Sequence, residues 1–307
     1  MKVHQFRQSD TVSGKTVLTI GNFDGVHLGH QALIRKVVGE ARESGSASAV
    51  LTFDPHPQQV LNTRTVPILT GLALRLRLFG ELGVDRAYII PFTRELAAKS
   101  AEEFLTEYLL GHFQILRMII GYDFAFGRNR AGTAAVLEKI SQREGFHMEV
   151  FPAVALGEEI VSSTRIRSAL AVAKFDEAAR FLGRDFSVLA EVERGQQRGH
   201  GLGFPTINQP ARDPLPIPFG VYASLVKLQD RTWHGVTNYG QRPTVGGGAP
   251  ILETHLFGFA GDAYGASAEV IPLRRLREER QFPSLDALKA QIAEDCRQAR
   301  DFLDEIA

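Results

Sequence analysis

Apolar and polar positions follow two different rhythms along the chain. Up to about residue 160, short apolar runs alternate with amphipathic stretches of helical length. The runs 16–20, Ala49–Phe53, Arg86–Pro91, Ile115–Gly121 and His147–Ala153 read as strands, and 28–44, 72–82, 100–112 and 133–145 as helices. This alternation predicts an α/β fold, a doubly wound parallel sheet with helices on both faces. Two further helical patterns follow at Thr164–Ala173 and Phe175–Gly183.

Beyond Arg184 the rhythm shortens. Ser187–Val192, Gly220–Leu228, Thr232–Tyr239, Ile251–Phe257 and Ala266–Pro272 read as strands between Gly- and Pro-rich connections. Five or six such strands predict a small antiparallel β-barrel. Leu285, Leu288, Ile292, Cys296 and Ala299 then recur at helical spacing behind a capping Ser284, so a terminal helix spans Ser284 to Ile306. The rhythm changes near 184, which divides the chain into domains 1–184 and 185–307 without a low-complexity linker.

Composition narrows the function classes. The 307 residues are ample for two cores, and 44% hydrophobic with 23% charged is ordinary for a globular protein. Lys plus Arg equals Asp plus Glu, 35 each, so no overall field favours nucleic acid or an acidic membrane. Cys296 is the single cysteine, which excludes an intrachain disulfide framework and a multi-cysteine zinc site. No apolar run approaches about 18 residues and the N-terminus lacks a signal-peptide core, so a cytoplasmic location is expected.

The densest chemistry lies between the first predicted strand and helix, in Gly21-Asn22-Phe23-Asp24-Gly25-Val26-His27-Leu28-Gly29-His30. Strand, glycine-bearing turn and helix present backbone N–H groups and a helix N-terminus to a phosphate. His27 and His30 fall on one side of the first helical turn, within reach of one phosphoryl group. Transfer of a nucleotidyl group to an acceptor that is already anionic needs alignment and charge stabilisation, not a base. Ser162-Ser163-Thr164-Arg165-Ile166-Arg167 opens a second helix with hydroxyls and guanidiniums. Alone these read as a cap; beside the histidine turn they read as phosphate ligands.

A P-loop is absent: Ser13-Gly14-Lys15-Thr16 has Ser9 where the first glycine belongs and precedes a strand. Gly199-His200-Gly201-Leu202-Gly203-Phe204-Pro205-Thr206-Ile207-Asn208 is a glycine-rich hairpin whose exit is stiffened by Pro205. Thr206 and Asn208 place a hydroxyl and an amide carbonyl on one side of an extended segment, oxygen ligands suited to Mg²⁺.

These segments occur in an order that resembles bacterial bifunctional riboflavin kinase/FAD synthetases. Gly21–His30, Thr52–Pro57, Gly121–Gly127 and Ser162–Arg167 match in the first half. Gly220–Ala223, Asn238–Thr244, Leu252–Leu256, Asp262–Gly265 and Leu276–Pro283 continue it to the C-terminal region. Class I aminoacyl-tRNA synthetases share the His-x-Gly-His element, but their lysine loop has no counterpart. The resemblance implies a nucleotidyltransferase domain in which His27 and His30 act on ATP phosphates together with Ser163, Thr164 and Arg167. Gly21, Asn22, Phe23, Asp24 and Gly29 would line that ATP, and Phe53, Asp54 and Asp123 would seat nucleotide or flavin, although Phe53 reads equally as core. In the barrel it implies Glu253 as catalytic base, Gly201, Gly203 and Pro205 at ATP phosphates, and Thr206 and Asn208 as Mg²⁺ ligands.

The expected activities are phosphorylation of riboflavin to FMN and adenylylation of FMN to FAD with release of pyrophosphate. ATP is the co-substrate of both, and the enzyme is expected to be a monomer or weak homo-oligomer with no nucleic-acid or membrane partner. Ile207, Ala173, Ala190 and Gly258 depart from the family pattern and bear on kinase efficiency. An adenylyltransferase with a barrel that only binds flavin, and a flavin sensor, are the rivals; intact Thr206, Asn208 and Glu253 argue against the first.

Overall fold

The five apolar runs of the first half become parallel strands of one sheet, which a sixth strand extends at its edge. In chain order the elements are β1 (Lys2–Gln5), β2 (Val12–Ile20), α1 (Leu28–Glu43), β3 (Ala47–Asp54), α2 (Pro57–Leu61), α3 (Leu72–Glu81) and β4 (Arg86–Pro91). They continue as α4 (Arg94–Ala98), α5 (Ala101–Leu105), β5 (Phe113–Gly121), α6 (Ala134–Glu144), β6 (His147–Phe151) and the short pair β7 (Ala155–Leu156) and β8 (Glu159–Ile160). The computed structural model describes residues 1–7, 11–61, 66–194, 203–241 and 250–306. The chain forms two units, Met1–Val66 with Leu74–Ser162, and Pro67–Ala73 with Ser163–Ala307.

The sheet order is β1-β4-β3-β2-β5-β6, and every pairing in it is parallel. From β2 the chain winds outward through β3 and β4, then crosses to β5 and β6 on the other side. A crevice therefore opens beyond the C-terminal ends of β2 and β5, where such sheets hold ligands. Six consecutive residues of β3 are buried, because a parallel strand is covered on both faces. Leu18, Ile20, Leu51, Ile90, Met118 and Ile120 pack with Leu96, Phe104, Leu105, Leu137 and Ile140 from the helices α4 to α6. Helix α1 buries Leu33, Ile34, Val37, Val38 and Ala41 against β2, β3 and β5, outside that cluster, and so covers the opposite face.

The helix expected over 100–112 runs without a break from residue 101 to 110, first α-helical and then π-helical. Lys99 is extended, Ser100 and Glu103 form a reciprocal capping box that restarts the chain as α5, and Thr106–Leu110 continues as a π-helical turn. Strand β1 is an unforeseen edge strand.

The second unit contains α7 (Ser163–Ala171), α8 (Phe175–Leu182), β9 (Val188–Glu191), β10 (Ile207–Pro210), β11 (Gly220–Leu228), β12 (Arg231–Gln241), β13 (Pro250–Leu256), β14 (Ser267–Arg277) and α9 (Leu285–Glu305). The strands are antiparallel in the order β10-β13-β12-β11-β14-β9. The two ends meet where Glu193 N–H donates to the Asn208 carbonyl, 2.8 Å. Gln209, fully buried, reinforces the seam by donating to the carbonyls of Ala190 and Ala268 at 2.8 and 2.7 Å. Ile207, Val226, Leu228, Leu256, Ala268 and Val270 fill the barrel.

Helix α9 lays Cys296, Ala299 and Leu303 on Val221, Ala223 and Val236 outside the barrel. Burial pushes the Cys296 thiol up to about 11, so it is an inert core group. A fork–fork pair between Arg277 and the buried Asp295, at 2.8 to 3.0 Å, ties α9 to β14. Residues 67–73 belong here as well. Ile68 N–H donates to the Pro214 carbonyl at 3.0 Å, Arg167 Nε to the Pro67 carbonyl at 2.9 Å, and Arg184 to the Thr70 hydroxyl. No helix among the described residues is long and apolar enough to cross a membrane.

Candidate active sites

The turn after β2 is built under backbone constraint. Gly25 sits at φ +94°, and Phe23 and Val26 also occupy the left-handed region at +50° and +40°. Non-glycine residues there cost energy and persist only where surroundings enforce them. His27 caps α1, its Nδ1 accepting from His30 N–H at 3.3 Å, so the proton of the neutral ring sits on Nε2. The two imidazoles stack with centroids 3.6 Å apart, and the Phe23 ring meets His30 edge-on at 5.3 Å. A Cβ on Gly29 would lie 3.2 Å from His27 Cε1, so glycine is what lets the ring lie against the helix. The first turn of α1 carries no acidic residue, which leaves its positive end for an anionic ligand.

His30 is held well below the ordinary histidine range by burial first, then by His27 and Arg75. At neutral pH it is therefore an uncharged hydrogen-bonding ring. Among the described residues its Nδ1 has no partner.

Arg75, from α3, was not legible as a site residue. It is 3% exposed and donates to the carbonyls of Asn22 at 2.6 Å and Phe53 at 3.1 Å. Thr52 Oγ1 donates to the same Asn22 carbonyl at 3.2 Å. The histidine turn is thus pinned to the end of β3. An arginine on an amphipathic helix gives no sequence signal for such a role.

The Phe53 ring is buried in the core against Phe92 and Phe104. Asp54 is exposed, its carbonyl accepting from Phe92 N–H at 3.1 Å, and buried His56 caps the following turn through Gln58 N–H. Asp123 is exposed just past β5, next to β2 in the sheet, and its carbonyl accepts from Arg130 at 3.3 Å. Gly21, Asn22, Phe23 and Asp24 form the turn itself, with Phe23 and Asp24 buried. Ser163, Thr164 and Arg167 lie in the first turns of α7, in the second unit, with Thr164 exposed and Arg167 on the Pro67 carbonyl.

In the barrel, Gly201 lies outside the described residues. Gly203 is exposed at φ +86°, and the exposed Pro205 leads into β10. Ile207 points into the barrel while Asn208, 6% exposed, takes the other face. Asn208 Nδ2 donates to the Thr206 carbonyl at 3.3 Å, which leaves its amide oxygen as an acceptor. Glu253 on β13 stands directly opposite Asn208 on β10 and opposite Asn238 on β12. A half-buried carboxylate is thus set in a row between two amides on one face of three strands.

Thr206, Asn208 and Glu253 offer only hard oxygens, a donor chemistry that fits Mg²⁺ carrying phosphates. Among the described residues no group of three or more His, Cys, Asp or Glu could hold a metal by itself. Sequence reading missed Asn238 and His255. Their signals are register beside Glu253 and a two-residue spacing that puts His255 on the Glu253 face.

Two family models match the chain. One described as FAD synthetase matches residues 9–165, and one described as riboflavin kinase matches 182–303. The chain is 41% identical to the bifunctional riboflavin kinase/FMN adenylyltransferase of Pseudomonas fluorescens over 286 residues, 92% of each chain. It is 39% identical to that of Escherichia coli K12, covering 93% of this chain and 92% of the relative. Among solved structures, a Streptococcus pneumoniae protein described as a macrolide-efflux protein superimposes with a TM-score of 0.78 at 28% identity. That match covers 96% of this chain and 97% of the neighbour.

Proposed function

The chain belongs to the bifunctional riboflavin kinase/FMN adenylyltransferase family and makes FMN and then FAD with ATP, and on that premise we propose which residues perform each reaction. Adenylyl transfer is assigned to 1–184 and riboflavin phosphorylation to 185–307, following where the two sets of chemical groups lie in the chain.

In the first reaction an FMN phosphate oxygen bonds to the α-phosphorus of ATP. The bond from that phosphorus to the β-phosphate bridge breaks, and pyrophosphate leaves. The acceptor is already an anion, so the enzyme's task is to align it and to stabilise charge on the phosphoryl oxygens. Neutral His30, His27 with its Nε2 proton, and the unopposed N-terminus of α1 serve that purpose. Gly21, Asn22, Phe23, Asp24 and Gly29 line the ATP, Ser163, Thr164 and Arg167 give it hydroxyls and a guanidinium, and Phe53, Asp54 and Asp123 border the nucleotide or flavin.

In the second reaction the acceptor is a neutral primary alcohol, and a base is useful. Glu253 takes the hydroxyl proton of riboflavin as its oxygen bonds to the γ-phosphorus and ADP leaves. Gly201, Gly203 and Pro205 let backbone approach the phosphates, and Thr206 and Asn208 would hold Mg²⁺. That ion, when bound, neutralises charge on the phosphates. The observation that carries this reading is the row Asn208–Glu253–Asn238, a carboxylate in mid-sheet directly across from strand β10.

The test is chromatography of riboflavin, FMN and FAD after incubation with MgATP. His30→Ala is expected to stop at FMN, and Glu253→Gln to leave riboflavin untouched while still converting supplied FMN. Loss of both activities in either folded variant would overturn the two-site assignment.

A further inference from the structure

Strand β10 is short, and its ladder with β13 begins at the pair Ile207–Thr254. One step further back, Thr206 would face His255, and before it stands Pro205, which has no N–H to offer a partner strand. The backbone pairing ends there, but the connection does not. His255 Nδ1 lies 2.8 Å from the Pro205 carbonyl oxygen. A carbonyl can only accept, so Nδ1 carries a proton and the ring donates.

The ring is held in place on both sides. Phe204 meets it edge-on at 5.5 Å and Phe257 at 5.8 Å. Phe257 in turn lies under the Arg300 guanidinium of α9, 4.3 Å from its ring centre. Glu253 and His255 alternate along β13 and share a face, and Phe257 follows just past its end. One strand therefore carries both the carboxylate and a fixed donor that reaches the segment leading into Thr206 and Asn208.

We propose that His255 is a positioning residue of the riboflavin kinase site: its Nδ1–H clamps the Pro205 carbonyl and so fixes the backbone from which Thr206 and Asn208 meet MgATP. The clamp rests on the assignment of Thr206 and Asn208 to the ATP-bound cation. It holds by side chain a carbonyl that lies beyond the point where the backbone ladder of β10 and β13 begins.

Three substitutions in the full-length enzyme separate the donor from the bulk. His255→Ala removes the N–H, His255→Asn keeps one near the Nδ1 position, and His255→Gln carries it out towards the Nε2 position. The Ala and Gln variants are expected to raise the MgATP KM for riboflavin phosphorylation about five- to tenfold, the scale of one lost hydrogen bond. The Asn variant should stay within about twofold of the parent, as a kept donor implies. The riboflavin KM and the rate of FMN adenylylation should be unchanged in all three. An unaltered MgATP KM in His255→Ala, or indistinguishable Asn and Gln variants, would overturn the clamp. Thr206→Ala is the companion measurement. An unaffected MgATP KM there, with a raised one in His255→Ala, would overturn the role of Thr206 and leave the hold on Pro205 standing.

Discussion

Asn208 and Glu253 are direct partners across the antiparallel ladder of β10 and β13. Partners so placed share a face with Cβ atoms about 4.5–5.5 Å apart, so amide and carboxylate are neighbours by construction. Asn238 flanks Glu253 from β12. The two flanking amides are neutral, so neither cancels the carboxylate's charge, as an arginine would, nor repels it, as a second acid would. A base needs that combination.

Replacing the base tests this arrangement. Glu253→Gln keeps the shape and removes proton acceptance, and riboflavin phosphorylation should fall about 10²–10⁴-fold. FAD formation from supplied FMN should be unchanged. Initial rates with each flavin, read by chromatography, check both statements.

Gly29→Ala separates stability from activity. Alanine is the better helix former by about 1 kcal/mol, a gain comparable to the His27 cap bond that the substitution removes, so the stability of α1 should change little. Its Cβ, however, would lie 3.2 and 3.3 Å from two atoms of the His27 ring, which must turn away. FAD synthesis is expected to drop about tenfold or more from that misalignment, with the unfolding midpoint close to the parent's. Urea unfolding beside an FMN adenylylation assay decides it.

The depressed His30 pKa has a signed consequence. In the unfolded chain this ring takes up a proton at about pH 6.5, whereas the folded protein resists until well below that. In that interval the unfolded state binds more protons, so stability is full above about pH 6.5 and declines as pH falls below it. Urea unfolding at stepped pH should show the decline, and His30→Asn should flatten it. The imidazole resonances of His30 should stay those of the neutral form at pH 6.

Arg75→Met takes two donors from buried carbonyls. The loss is expected to destabilise the first unit by about 2–4 kcal/mol. It also removes a cation whose repulsion helps to lower the His30 pKa, so the His30 titration should move upward. Denaturant unfolding and NMR titration of the same variant read the two effects, and riboflavin phosphorylation should persist.

Asp295→Asn leaves Arg277 facing a neutral amide at a site 2% exposed on the carboxyl side. Breaking a buried pair of this kind costs about 3 kcal/mol. Faster amide exchange along α9, ahead of the barrel strands, is the expected signature.

Much of the fold was legible because burial dictates residue pattern. The run Ala49–Phe53, apolar but for Thr52, reads as a strand covered on both faces, and α1 shows its stripe at helical spacing. What escaped was built from polar residues. Strand β1, Lys-Val-His-Gln, and strand β10, Ile-Asn-Gln-Pro, are four residues each and owe their state to partner strands. Gln209 is wholly buried only because two carbonyls at the barrel seam receive it. The site divided along the same line. His27 and His30 announce themselves by chemical type and local spacing and Glu253 only through the family resemblance, whereas Arg75 and His255 act by reaching backbone carbonyls that no local pattern reveals.

The second unit is discontinuous in sequence, and that governs how the enzyme can be taken apart. A fragment starting at residue 185 would leave the Pro214 carbonyl without Ile68 and strip Phe175 from the buried ring of Tyr222. No single scission yields an intact barrel with all its packing. A working graft of the kinase into another scaffold must bring the early segment Pro67–Ala73 with it, supplied in trans or by rearranging the chain order. On the ribosome that segment emerges long before its partners exist, so the last part of the protein to be made also completes a piece of the first.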